Sequence, residues 1–272
     1  MSERAFSFIP LNSRQGKPRT QGVTEIRGPY YSVMGIRYLT DILETMGKYV
    51  DGLKFAGGSF ALMPRDEVKK MIDLAHKYDV YVSTGGWIEH IIRHRPEDVE
   101  KYMKEVHALG FDVIEISAGF ISLPVDDMVR LVEKAQKIGL KAKPEVGIQF
   151  GAGGDTPPEI LEAEGTRDVQ WAINLAQRCL DAGAYMIMIE SEGITEDVKV
   201  WKTDVAARII NSLGLEKVMF EAADPKVFEW YIKNYGLDVN LFVDHSQIVQ
   251  LECLRSGIWG TKNTWGRICS YR

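Results

Sequence analysis

Eight times along the chain a short β-branched run gives way to a longer stretch whose apolar residues fall at helical spacing. The runs are Val23–Arg27, Val50–Phe55, Val80–Ser83, Val113–Ser117, Lys141–Val146, Tyr185–Ile189, Val218–Phe220 and Leu241–Val243. Between them lie helical patterns over Val33–Met46, Asp66–Tyr78, Trp87–Arg93 with Pro96–Leu109, Val125–Ile138, Thr166–Asp181, Thr203–Leu213, Pro225–Tyr235 and Ser246–Arg255. Strands that alternate with helices must pair in parallel through right-handed crossovers. An open doubly wound sheet uses five or six strands. Eight units at this spacing close into a single (β/α)8 barrel, a TIM barrel of the α/β class. The barrel is expected over residues 20–257, after an N-terminal segment 1–19 that leads into the fold. A tail over 258–272, with Trp259 and Trp265, is expected to be irregular.

Composition narrows the partners. The 33 basic and 38 acidic side chains give a net charge of −5, which argues against nucleic acid, since that demands a clustered basic surface. No apolar run approaches the roughly 20 residues that cross a bilayer. Met1 to Arg19 has basic residues but no apolar core, so a secretory signal is not expected. Cys179, Cys253 and Cys269 are odd in number and widely spaced, which fits neither a disulfide framework nor a zinc cluster. The expectation is a cytoplasmic protein whose partner is a small molecule. The sequence is compatible with a homo-oligomer and does not fix one.

In such barrels the chemistry sits where the strands finish. The runs here end in Arg27, Lys54, Ser83 with Thr84, Glu115 with Ser117, Lys143 with Glu145, Glu190, Glu221 and Asp244. A charge inside a barrel costs several kcal/mol unless it is paired or bound to a ligand. Four glutamates at one mouth therefore need counter-charges. A magnesium ion on Glu145, Glu190 and Glu221 is one source, because it takes hard oxygen ligands. Lys54 and Lys143 are the other. Fixed positive charge of this kind stabilises a developing enolate oxygen, which marks Lys54, Glu115, Lys143 and Glu145 as candidate catalytic groups.

Two glycine pairs follow neighbouring strands: Gly57-Gly58-Ser59 and Gly85-Gly86. Glycines allow backbone N–H groups to converge on an anion. With Arg27 and Ser117 they form the expected substrate-binding set for a small, phosphorylated anion. Neither pair belongs to a Walker or dinucleotide motif. His90 and His94 share a helical face beside Glu89, but the order Glu-His-x-x-x-His misplaces the glutamate for zinc-protease chemistry, and Arg93 and Arg95 disfavour a divalent metal. They are expected on a helix surface, and Cys179 inside a helix.

Lys17-Pro18-Arg19 with Gly22-Val23-Thr24, Asp51-Gly52-Leu53-Lys54-Phe55 and Gly110-Phe111-Asp112-Val113-Ile114-Glu115-Ile116-Ser117 resemble the phosphosulfolactate synthase family. So do Glu145-Val146-Gly147, Asp181-Ala182-Gly183-Ala184-Tyr185 with Glu190, Phe220-Glu221-Ala222 and Leu251-Glu252-Cys253-Leu254-Arg255-Ser256-Gly257. The resemblance implies a (β/α)8 barrel that uses magnesium to add sulfite to phosphoenolpyruvate. Further segments, Gly22–Arg27, Tyr81–Trp87 and Val243–Gln247, look like a eukaryotic branch that includes the plant heat-stress-associated proteins. Against the prokaryotic synthases, Arg27 replaces an aspartate, Ile148 and Gln149 replace lysines, and Ser191-Glu192-Gly193 lacks an arginine. On the resemblance, Lys143 would substitute for the missing lysines and Arg27 would take over anion binding. Two functions are therefore carried forward: a carbon–sulfur lyase, and a non-catalytic stress-associated or partner-binding barrel that has lost the site.

Overall fold

A computed structural model describes residues 4–153, 156–166, 168–222, 224–258, 262 and 264–271. Gly154 and Trp259 lie outside the described residues. Eight parallel strands close into a barrel in chain order. They are β1 (Thr24–Arg27), β2 (Gly52–Phe55), β3 (Tyr81–Thr84), β4 (Val113–Ile116), β5 (Lys141–Val146), β6 (Ile187–Ile189), β7 (Val218–Glu221) and β8 (Asn240–Asp244). Closure is made by β1 against β8, with Arg27 opposite Asp244.

The crossovers are α1 (Ile36–Met46), α2 (Arg65–Lys77), α3 (Ile88–His94), α4 (Val99–Leu109), α5 (Val125–Ile138), α6 (Pro158–Glu164), α7 (Val169–Asp181), α8 (Thr203–Leu213), α9 (Pro225–Tyr235) and α10 (Ile248–Arg255). The longer ones present one apolar stripe to the barrel, whereas α3 and α6 bury one residue each, Ile88 and Leu161. In α2 the stripe is Val68, Met71, Ile72 and Ala75, all buried; fully burying the larger of these contributes roughly 1.5–3 kcal/mol per side chain. Gly110 and Gly139 end α4 and α5 in the left-handed region, at φ 101° and 99°, where a Cβ would be strained.

Several boundaries differ from the sequence reading; α7, for example, starts at Val169 rather than Thr166. Helix α1 starts at Ile36 rather than Val33, because Gly35 is still extended. Strand β6 begins at Ile187, not Tyr185. The glycine- and proline-bearing stretch after β5 contains α6, with Pro158 at its first position, where a missing N–H is harmless.

Two apolar clusters result. The larger fills the space between barrel and helices. The smaller lies inside the barrel and holds only Val23, Met186, Met188, Met219 and Phe242, with Tyr81 and Tyr185 against it. Much of the rest of the interior is polar, with Glu25, Arg27, Lys54, Glu115 and Lys143 buried there. At the foot, buried Arg255 donates to the carbonyls of Gly22, Leu237 and Val239. The N-terminal segment is tied there too: Lys17 donates to the carbonyls of Gly47 and Tyr78, and Arg19 pairs with Asp51 at 2.8 Å. Among the described residues no helix is long and apolar enough to cross a membrane.

Candidate active site at the barrel mouth

Side chains alternate along a strand, so residues two apart share a face at different depths. Glu25 and Arg27 on β1, and Lys143 and Glu145 on β5, all point inward in this way. The parallel register sets Arg27 beside Lys54 and Glu115 beside Lys143. The consequence is a ladder of alternating charge. Glu25 Oε1 is 2.5 Å from Lys143 Nζ, which is 3.5 Å from Glu115 Oε2. Glu115 Oε1 is 2.7 Å from Lys54 Nζ, and Glu145 Oε2 lies 3.7 Å beyond.

The upper rungs open into a cavity of about 370 Å³ at the C-terminal face. Its floor is Arg27, Lys54, Glu115, Glu145, Glu190, Glu221 and Phe242. Arg27 Nη2 holds Glu221 at 2.6 Å and its guanidinium covers the rings of Tyr31 and Phe242. Lys54 Nζ sits 4.4 Å from the centre of the Phe242 ring.

Charge is unbalanced here. Glu145, Glu190 and Glu221 can each place one oxygen within 4.8 Å of the others. Burial, then repulsion from Glu115, pushes Glu145 up to about 8, with Lys54 opposing. Burial, then repulsion from Glu221 and Glu145, raises Glu190 well above the usual carboxylate range. Burial opposes the charge on Lys54, but Glu115, Glu145, Glu221 and Glu25 together outweigh it and hold the ammonium protonated. Such perturbed groups in one cleft mark a functional site.

Of the substrate-binding set, Arg27, Gly57, Gly85, Gly86 and Ser117 border the cavity, whereas Gly58 and Ser59 do not. Gly58 lies under the Trp87 indole, where an added Cβ would meet the ring at 2.2 Å. The Ser59 hydroxyl is buried without a partner. Ser117 Oγ donates to Glu89 Oε1 at 2.5 Å, so it faces a carboxylate before any ligand. Lys143 is fully buried beneath the floor, against Glu25, and does not reach the cavity. Its depth removes it from direct contact with a substrate. Asp244 also turns away, accepting from the backbone N–H of Ser246 at 2.9 Å.

The sequence reading missed Glu25 and the whole outer wall: Tyr30, Tyr31, Trp87, Phe120, Ile121, Glu192 and Glu196. His90, Arg93 and His94, expected on a helix surface, are exposed and also border the cavity. Glu89 accepts from the N–H groups of Gly119 and Phe120 and so fixes the turn after β4. Glu192 accepts from Gly153 and Thr156 after β5.

Fold and site together define a (β/α)8 barrel with a carboxylate- and lysine-lined mouth. Comparison with known proteins gives the family. The (2R)-phospho-3-sulfolactate synthase (ComA) family matches residues 12–261, and the chain belongs to it. The chain is 44% identical over 259 residues to Protein HEAT-STRESS-ASSOCIATED 32 of Arabidopsis thaliana, covering 92% of this chain and 91% of that protein. It is 29% identical over 274 residues to a phosphosulfolactate synthase of Methanothermobacter thermautotrophicus, covering 97% and 98%. Among solved structures, the carboxyl transferase domain of Rhizobium etli pyruvate carboxylase superposes with a TM-score of 0.56 at 12% identity. That match covers 83% of this chain but only 40% of the other, and it shows the fold alone.

Proposed function

We propose that the chain is a phosphosulfolactate synthase-like lyase that adds sulfite, or a related nucleophile, to phosphoenolpyruvate with magnesium. The observation that carries this reading is Lys54. It is a buried ammonium paired with Glu115, and it stands in the cavity floor beside the carboxylate cluster of Glu145, Glu190 and Glu221.

The donor set fits a hard divalent cation. Three carboxylates converge, two of them with their ionisation suppressed by burial and mutual repulsion, and an added positive charge would relieve both effects. Glu145, Glu190 and Glu221 would hold it, and when bound it supplies fixed positive charge to an oxygen that becomes more negative as the reaction proceeds.

The remaining work falls to the chain's own residues. Attack of sulfite on the methylene carbon of phosphoenolpyruvate sends an electron pair toward the carboxylate, and the neighbouring carbon then takes a proton. Lys54 Nζ donates to the substrate carboxylate and holds a proton at the place where charge accumulates. Glu115 fixes that ammonium in position. Arg27 keeps Glu221 oriented and presents its charge to the cavity. Gly57, Gly85 and Gly86 border the cavity and put their backbone within reach of the substrate.

A second reading rests on the Arg27–Glu221 pair. An arginine that already neutralises one carboxylate of the cluster reduces the need for a metal. With the stress-associated name of the plant relative, it favours a barrel that has kept its shape without catalysis. Incubation with sulfite, phosphoenolpyruvate and magnesium, with loss of phosphoenolpyruvate followed, separates the two. Sulfite-dependent loss that EDTA abolishes supports the lyase. A protein inert under these conditions supports the second reading.

A further inference from the structure

One side of the cavity rim gathers basic side chains, although Glu89, Glu192 and Glu196 also border the cavity. The floor is rich in carboxylates, whereas one side of the rim is formed by His90, Arg93 and His94 of α3. These three lie at positions i, i+3 and i+4, so they form one face of the helix. Arg93 makes no hydrogen bond or ion pair with any described residue, although most arginines in the chain have a carboxylate or carbonyl partner. The His90 ring stacks on Trp87, with centroids 4.1 Å apart and planes 9° from parallel. His94 lies 4.4 Å further on. Two imidazoles and a guanidinium are thus gathered on one wall. Glu89, the carboxylate nearest in sequence, also borders the cavity but accepts from Ser117, Gly119 and Phe120. Rim and floor border the same cavity.

We infer that this face of α3 is an anion site for the phosphate end of a small phosphorylated acid, whose carboxylate end reaches Lys54 and the floor. The inference rests on the lyase reading for the identity of the acid. Arg93 supplies a fork of donors suited to phosphate, and the histidines supply ring N–H donors, His90 stacked on the indole and His94 packed against His90. The arrangement also steers an anion toward a floor that would otherwise repel it. Gly86 borders the same cavity, and an added Cβ there would meet the Ser117 hydroxyl at 2.4 Å.

The test is calorimetry in magnesium with two ligands, phosphoglycolate and oxalate, on the full chain and on Arg93→Ala and His90→Gln/His94→Gln. These are exposed positions, so the variants should fold. Phosphoglycolate affinity should fall about tenfold or more in Arg93→Ala, and in the same direction in the histidine double variant. Oxalate, which has no phosphate, should change by less than about twofold. Equal weakening of both ligands, unchanged phosphoglycolate affinity, or no phosphoglycolate binding by the unsubstituted chain overturns the inference. Sulfite turnover on the same samples keeps the two readings apart. Arg93-dependent phosphoglycolate binding without turnover refutes the lyase and leaves the rim site standing. Turnover with Arg93-independent affinity does the reverse.

Discussion

Lys143 Nζ lies 2.5 Å from Glu25 Oε1, and neither side chain has any exposure to solvent. A buried pair of this kind is weak evidence for stability, but removing one partner leaves an uncompensated charge. Lys143→Met should therefore destabilise the barrel by about 3–5 kcal/mol, measured by urea unfolding. Lys143→Met combined with Glu25→Leu should recover part of that loss. A single variant as stable as the unsubstituted chain would contradict the pairing.

The same pair shows where sequence reasoning stops. The barrel was legible because eight runs and eight helical patterns leave few other closures. The floor was legible because apolar runs ended in Arg27, Lys54, Glu115, Glu145 and Glu221. Depth was not. Lys143 and Glu145 share a face, and only the stagger of the closed sheet decides which one reaches solvent. Glu25 was hidden because Arg27, two residues further along β1, is the charge at the strand end and Glu25 lies one rung deeper. The α3 wall was hidden for another reason: the side that a helix turns toward the mouth is set by packing, here by Trp87 and by Glu89 on the β4 turn.

The carboxylate cluster predicts a pH dependence. In the folded, metal-free chain Glu145 keeps its proton up to about pH 8, against 4.5 for an ordinary glutamate. Between those values the folded chain binds more protons than the unfolded chain, so stability falls as pH rises. Glu190 shifts in the same direction. Melting temperature in EDTA should decline from pH 5 to pH 8, and the increase on adding magnesium should be larger at pH 8 than at pH 6. A melting temperature that rises over this range would contradict the assignment.

Gly52 is required by a neighbour rather than by its own backbone. An added Cβ would meet the Tyr81 ring at 2.3 Å, inside the barrel. Gly52→Ala should cost about 1–3 kcal/mol through overpacking, read as a lower denaturation midpoint with an unchanged slope.

Glu89 fixes the turn after β4 through three acceptor contacts, to Ser117 Oγ, Gly119 N and Phe120 N. Hydrogen bonds to a charged group contribute about 1.5–3 kcal/mol each. In Glu89→Ala the amides of Gly119 and Phe120 should exchange with solvent faster, while those of α4 keep their protection. Unchanged exchange at both amides would show that the turn holds itself.

The central claim is that Lys54 faces a reacting anion. It is tested most directly by phosphorus NMR of phosphoenolpyruvate incubated with sulfite, magnesium and either the unsubstituted chain or Lys54→Ala. The account predicts a phosphosulfolactate signal from the unsubstituted chain and a rate lower by at least about a hundredfold in the variant. No product from the unsubstituted chain, or equal rates from both proteins, would contradict it.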